Sequence, residues 1–159
     1  MSSKYDAFMP GASAKSSLRD PLQALGWSAF FSQQSDADTL ATCPPVRVTS
    51  VHRSGLEVLG ASVQMLLPPR KDVTVGDWLL LDEERLSESE LLERKSLIKR
   101  RSPGKDRFEQ LIAANIDTAF IVTSCNDDYN IARLERYVAL AFDADVTPVI
   151  LLTKPDLCE

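Results

Sequence analysis

Val146-Thr147-Pro148-Val149-Ile150-Leu151-Leu152-Thr153-Lys154-Pro155-Asp156 decides how this chain is read. A short apolar run rich in β-branched residues, opened by Pro148, predicts a buried strand of a parallel sheet. That strand would deliver Thr-Lys-Pro-Asp to the carboxyl edge, where open α/β sheets hold their ligands.

Thr/Asn-Lys-x-Asp after such a strand is the guanine-reading element of GTP-binding domains, and its chemistry can be stated without the name. The Asp156 carboxylate can accept two parallel hydrogen bonds, from the ring N–H and the exocyclic amine of guanine. Adenine offers no such pair of donors on that edge, so Asp156 would choose the base. The stem of Lys154 can lie across the purine face while its ammonium stays in water. Each buried polar group that the wrong base leaves unpaired costs roughly 1–3 kcal/mol. The tetrapeptide alone is a weak signal, and the strand ahead of it supplies the context.

Working back from that strand, Ile131, Leu134, Val138, Ala141 and Phe142 recur at helical spacing, with Asn130 placed as N-cap. Thr118-Ala119-Phe120-Ile121-Val122-Thr123-Ser124 reads as a second buried strand. Strand, helix and strand make one βαβ unit with a right-handed crossover. The polar loop Asn126 to Asn130 would share the carboxyl edge with Lys154.

Ahead of this unit the pattern is all strand. Pro45 to Val51 alternates, Arg53-Ser54-Gly55 turns, and Leu56 to Gly60 returns. Ala61 to Leu67, Val75 to Asp82 and Lys95 to Arg100 supply three more runs. Five short strands predict a small closed barrel of the OB type, a surface that often binds RNA. An SH3-like barrel would show nearly the same pattern. Asp82 to Glu93 reads as an acidic solvated insert with a short helical excursion, followed by a basic stretch of Arg94, Lys95, Lys99, Arg100, Arg101, Lys105 and Arg107. That stretch is either a footprint for RNA phosphates or a counterweight to the acidic insert. Asp20-Pro21 predicts a helix start, and Trp27, Phe30 and Phe31 an aromatic cover for one end of the core.

The organisation expected is therefore a flexible tail and helical lead-in over 1–40, an OB barrel over 41–103, and an α/β segment over 104–159. The 159 residues carry a formal charge of −5, which argues against nucleic-acid binding by bulk charge and leaves only a local patch. Cys43, Cys125 and Cys158 are far apart and never C-x-x-C, as in cytosolic proteins, and lone His52 reads as a surface histidine. No apolar run is long enough to cross a bilayer, and no secretory signal opens the chain. Gly104-Lys105 is followed by Asp106 and lacks the earlier glycine of a phosphate-binding loop, and no other stretch fits that pattern.

Val-Gly-Asp-Trp at 75–78, Arg-Lys-Ser-Leu-Ile-Lys-Arg at 94–100, Glu-Gln-Leu-Ile-Ala-Ala-Asn-Ile-Asp at 109–117, Phe-Ile-Val-Thr-Ser at 120–124 and Leu-Leu-Thr-Lys-Pro-Asp at 151–156 together resemble the ribosome small subunit-dependent GTPase A family. The resemblance runs from about Leu25 to the last residue. It implies a circularly permuted P-loop GTPase domain, in which the guanine-reading element precedes the P-loop, with an OB barrel in front. It further implies binding of GTP or GDP with Mg2+, stimulation by the small ribosomal subunit, contact with its rRNA, and action late in subunit maturation. By position Thr153, Lys154 and Asp156 carry over as guanine-binding residues, and the odds rise that Arg94, Lys95, Lys99, Arg100 and Arg101 touch RNA. The family's C-terminal zinc domain falls outside this sequence, and no catalytic residue carries over.

On this reading the chain is the N-terminal piece of a longer, cytoplasmic, monomeric GTPase. Without a P-loop it would hydrolyse no GTP alone and bind nucleotide very weakly. A free-standing RNA-binding OB module and a protein-interaction module are the alternatives.

Overall fold

Pro45–His52 (β1) is the strand around which the first half of the molecule is assembled. It pairs antiparallel with Gly55–Gly60 (β2) on one side and with Trp78–Leu80 (β4) on the other. Gln64–Leu67 (β3) adds to β2, and Glu90–Leu91 (β5) to β4, giving the order β3-β2-β1-β4-β5. The computed structural model describes residues 20–101, 109–125 and 129–157. The expected tail before residue 18, the boundary at Ser102 to Gly104, Lys105, Arg107, Asn126 to Asp128 and Cys158 lie outside them.

Alternation along the strands puts Val46, Val48, Leu56, Val58, Leu67 and Leu79 into one core. The strand order is that of an OB-type sheet. Its hydrogen-bonded ladder is open between β3 and β5, where Arg70 donates instead to the Ser89 carbonyl just ahead of β5. A second core holds Phe31, Trp78, Leu80 and Leu92. Three short helices cover it: Pro21–Ala24 (α1), Ala29–Ser32 (α2) and Ala37–Thr42 (α3). Asp20 caps α1 by accepting from the Leu22 N–H, and Asp36 caps α3 through the Thr39 N–H. Trp27 stands edge-on to Trp78 with ring centres 4.8 Å apart, so the aromatic cluster is a cover for the core's end.

The fifth strand of the barrel is corrected. Lys95 to Arg100 does not join this sheet: Leu97–Arg101 (β6) pairs antiparallel with Glu109–Ala114 (β7) in a separate ribbon. The fifth place belongs to β5, from the insert expected to be wholly solvated. Asp82 accepts from the N–H groups of Glu84 and Arg85, and a 3-10 turn at Leu86–Glu88 follows, so the chain doubles back. Leu92 is thereby buried and donates its N–H to Trp78. Apolar burial of Leu91 and Leu92 outweighs the acidity of the residues around them.

The ribbon is bound to the barrel at the corner Val75-Gly76-Asp77. Ala114 donates to the Val75 carbonyl at 2.8 Å, the Asn115 side chain donates to the Gly76 carbonyl at 3.0 Å, and the Thr74 hydroxyl donates to Ile112 at 3.1 Å. Gly76 has φ +91°, and a Cβ there would stand 2.1 Å from the Ala114 carbonyl oxygen. Only glycine satisfies both the left-handed backbone and the close approach.

Beyond the ribbon, Thr118–Ser124 (β8) and Thr147–Thr153 (β9) pair in parallel, joined by the helix Ile131–Asp143 (α4), as the βαβ reading expects. Asn130 caps α4 by accepting from the Arg133 N–H at 2.8 Å. Full burial of the two strands is not found. Leu134 and Ala141 of the helix are buried; Phe120 and Val122 are exposed on the face opposite the buried Ile121 and Thr123, and Ile150 and Leu152, which pair with Ile121 and Thr123, are exposed as well.

Gly76→Ala is expected to destabilise the protein by about 2–4 kcal/mol, from strain at a positive φ plus displacement of Ala114. Urea unfolding should show a lowered midpoint at unchanged slope.

Candidate functional site

At the carboxyl end of β9, register places Thr153 opposite Ser124. The Thr153 hydroxyl donates to the Thr123 carbonyl at 3.1 Å, and the Cys125 N–H donates back to the Thr153 carbonyl at 3.0 Å. This pins the strand's last residue. Lys154 then takes φ +54°, a left-handed conformation that costs a non-glycine residue about 1 kcal/mol or more and concentrates at ligand sites. Pro155–Leu157 turns as a 3-10 segment and leaves Asp156 exposed. Val122, Thr123, Ser124, Arg133, Thr153 and Lys154 line a concavity of about 360 Å³ against the start of α4.

Thr153 and Lys154 are thus brought to one pocket, with Asp156 on the turn beyond it. Two residues there were not singled out from sequence. Arg133 enters because the Asn130 cap sets the first turn of α4 beside the pocket. Thr123 is buried and its hydroxyl has no partner among the described residues. Its strand position was legible, but whether a strand threonine finds a partner depends on neighbours that spacing does not specify.

The basic residues are placed differently from one another. Arg94 grips Asp77, a carboxylate with no exposure, through Nε to Oδ1 and Nη2 to Oδ2, both at 2.7 Å. Asp77 also accepts from the Thr74 N–H at 2.8 Å, and Arg94 reaches the Asp72 carbonyl. The bond to Asp77 holds the Arg94 proton more tightly than usual, against the effect of burial. Asp72 is held below the ordinary carboxylate range by its hydrogen bond from Arg70. Lys95 lies with its ammonium 5.2 Å from the centre of the Phe31 ring and 5.7 Å from that of Phe30. Lys99 pairs across the ribbon with Glu109 at 2.9 Å, Arg100 donates to Gln110 at 3.0 Å, and Arg101 ends β6. Among the described residues, Arg94, Lys99 and Arg100 find their partners at the corner and in the ribbon, not in the acidic insert. The insert's own acids Asp82 and Glu88 pair with Arg85. His52 ends β1 on the surface, 3.6 Å from Glu57.

A parallel pair ending in an exposed Thr-Lys-Pro-Asp turn thus follows an OB-type sheet in this chain. A model of the RsgA GTPase family matches residues 91–159. "Small ribosomal subunit biogenesis GTPase RsgA" of Mesorhizobium japonicum is 47% identical over 156 residues, covering 95% of this chain and 44% of that protein. "Small ribosomal subunit biogenesis GTPase RsgA 2" of Vibrio parahaemolyticus is 45% identical over 146 residues, covering 90% of this chain and 40% of that protein. The solved structure titled "The crystal structure of YloQ, a circularly permuted GTPase" aligns with a TM-score of 0.49 and 24% identity, over 74% of this chain and 42% of that one. The chain belongs to the RsgA GTPase family, and it spans less than half the length of the curated relatives it matches.

Arg94→Ala is expected to cost about 3–5 kcal/mol of stability, because it leaves Asp77 buried and unpaired. Removing both partners in Asp77→Ala/Arg94→Ala should recover part of that loss. A double-mutant cycle by urea unfolding measures the coupling, and additive losses would contradict it.

Proposed function

We propose that this chain forms the front part of a GTPase that engages the small ribosomal subunit and hydrolyses GTP during its late maturation. The observation that carries the reading is the turn after β9: Thr153 fixed to β8, Lys154 forced left-handed beside the pocket, and Asp156 exposed just past it. Guanine seated there would donate from its ring N–H and amine to Asp156, with the Lys154 stem along its face. Among the described residues no three His, Cys, Asp or Glu side chains stand together as metal ligands. Magnesium with the phosphates, and the zinc of the family's C-terminal domain, belong in this reading to parts of the relatives that the match does not cover. The chain alone is inactive as a hydrolase.

The ribosome-facing part is the OB-type sheet with its ribbon, and rRNA phosphates are met by Lys95, Lys99, Arg100 and Arg101. Arg94 supports this surface from behind, since its guanidinium is engaged by Asp77 and Asp72. In this reading an OB barrel over 41–103 is followed by an α/β segment over 104–159, with β6 and β7 pairing across that division. The protein acts as a cytoplasmic monomer. No helix among the described residues is long and apolar enough to cross a membrane.

On a protein of the relatives' full length, Asp156→Asn should weaken binding of a fluorescent guanosine nucleotide by about a hundredfold, because the lost carboxylate accepted two hydrogen bonds. Binding of a xanthosine nucleotide should improve, since Asn can donate to its extra carbonyl. Unchanged guanosine affinity would overturn the assignment. Lys99→Glu/Arg100→Glu should weaken small-subunit binding and make its salt dependence shallower by about one unit of slope per lost phosphate contact. Subunit binding indifferent to this reversal would count against the RNA surface.

A further inference from the structure

Between the barrel and the start of β8 lies a crevice of about 300 Å³, lined by Gly26, Phe31, Arg47, Trp78, Lys95 and residues 115–118. It lies at the amino end of β8, while the guanine turn lies past the carboxyl end of its partner β9. Arg47 crosses the crevice half-buried. Its Nη1 donates to the Leu25 carbonyl and its Nη2 to the Asn115 carbonyl at 3.1 Å. Both acceptors are neutral, and among the described residues no carboxylate comes within salt-bridge distance of the guanidinium. Asp117, also in the lining, acts on Arg47 only at longer range. Burial loosens the Arg47 proton more than Asp117 secures it, yet a guanidinium stays charged at any ordinary pH.

Two further features point the same way. Lys95 brings a second cation, held over the Phe30 and Phe31 rings. Trp78, 1% exposed, lines the crevice, and its buried indole N–H has no acceptor among the described residues. Buried donors are nearly always paired, by protein, water or ligand. Two cations against one carboxylate, beside an unpaired donor, describe a pocket that lacks an anionic acceptor. Its volume lies at the small end of ligand pockets and suits a phosphate group better than a base.

We propose that this crevice binds a phosphate group, with Arg47 and Lys95 supplying charge and the Trp78 indole N–H a directed hydrogen bond. The phosphate is either a phosphodiester of single-stranded RNA or free inorganic phosphate. The site is independent of the nucleotide reading.

The chain has two tryptophans, Trp27 and Trp78, so a 15N-labelled sample gives two indole resonances, and Trp27→Phe assigns them. Titration with inorganic phosphate, and separately with a short single-stranded oligoribonucleotide, at ionic strength fixed with sodium chloride, should move the Trp78 resonance saturably. A response to both probes, or to the oligoribonucleotide alone, identifies a phosphodiester, and a response to phosphate alone identifies the free anion. Lys95→Gln, a change at a residue that contributes no side chain to either core, should weaken either titration roughly tenfold. Lys99→Glu/Arg100→Glu should leave the phosphate shift in place, which separates this site from the ribbon part of the subunit-binding surface, Lys95 being common to both. A Trp78 resonance that neither probe moves, or one whose response survives Lys95→Gln unchanged, would overturn the proposal.

Discussion

Everything beyond the barrel hangs from the corner at Gly76-Asp77. Its backbone pairs with β1, since the Gly76 N–H donates to the Val48 carbonyl and the Val48 N–H to the Asp77 carbonyl, both at 2.8 Å. The same corner receives Ala114 at contact distance on Gly76 and holds Arg94 by the buried carboxylate of Asp77. A buried ion pair of this kind contributes little net stability but costs heavily when one partner is lost. It therefore acts as a register pin. Arg94 sits two residues before Ser96, whose hydroxyl donates to the Ile116 carbonyl and accepts from the Ile116 N–H, so fixing Arg94 also fixes where the ribbon leaves the barrel.

Asn115 completes the junction. At φ +56° it takes a conformation that asparagine tolerates better than most residues. Its side chain accepts from the Lys95 N–H and donates to Gly76, its N–H donates to Ser96, and its carbonyl accepts from Arg47. Three residues later the chain enters β8, which runs about 20 Å, at roughly 3.3 Å per residue, to the sheet edge where β9 gives way to the Thr-Lys-Pro-Asp turn. The proposed phosphate crevice and the proposed guanine site are thus set at opposite ends of one short parallel pair.

Much of this was legible in the sequence because it rests on local rules. Alternation from Pro45 to Gly60 gave the first hairpin, the 3.6-residue period gave α4, and Asp20 and Asn130 cap as their positions imply. The Thr-Lys-Pro-Asp turn was readable because a strand must leave its sheet at the carboxyl edge. What failed was pairing. Lys95 to Arg100 has a strand's composition, and nothing in it says whether its partner is β4 or β7. Glu90-Leu91 looks solvated until Leu92 is seen to be buried next to it. The basic stretch reads as one patch on paper, yet Arg94 turns inward to an aspartate seventeen positions earlier, while Lys99 faces Glu109. Such choices are made by tertiary burial, which periodicity does not encode.

The ties at the junction also set an order of assembly. Arg47 reaches Asn115 across 68 positions, and Gly76 and Thr74 reach Asn115 and Ile112 across 39 and 38, whereas β1–β2 and β2–β3 close within a few residues of chain. Contacts of long sequence separation bear their loop-closure entropy before they return any stability. The β1–β3 meander is therefore the natural nucleus, and docking of the ribbon is a late step. A late-docking element is also the one that opens at lowest free energy in the folded protein. The seam between barrel and ribbon, held by polar bonds at Thr74, Val75 and Gly76 rather than by either core, is where local opening is expected first.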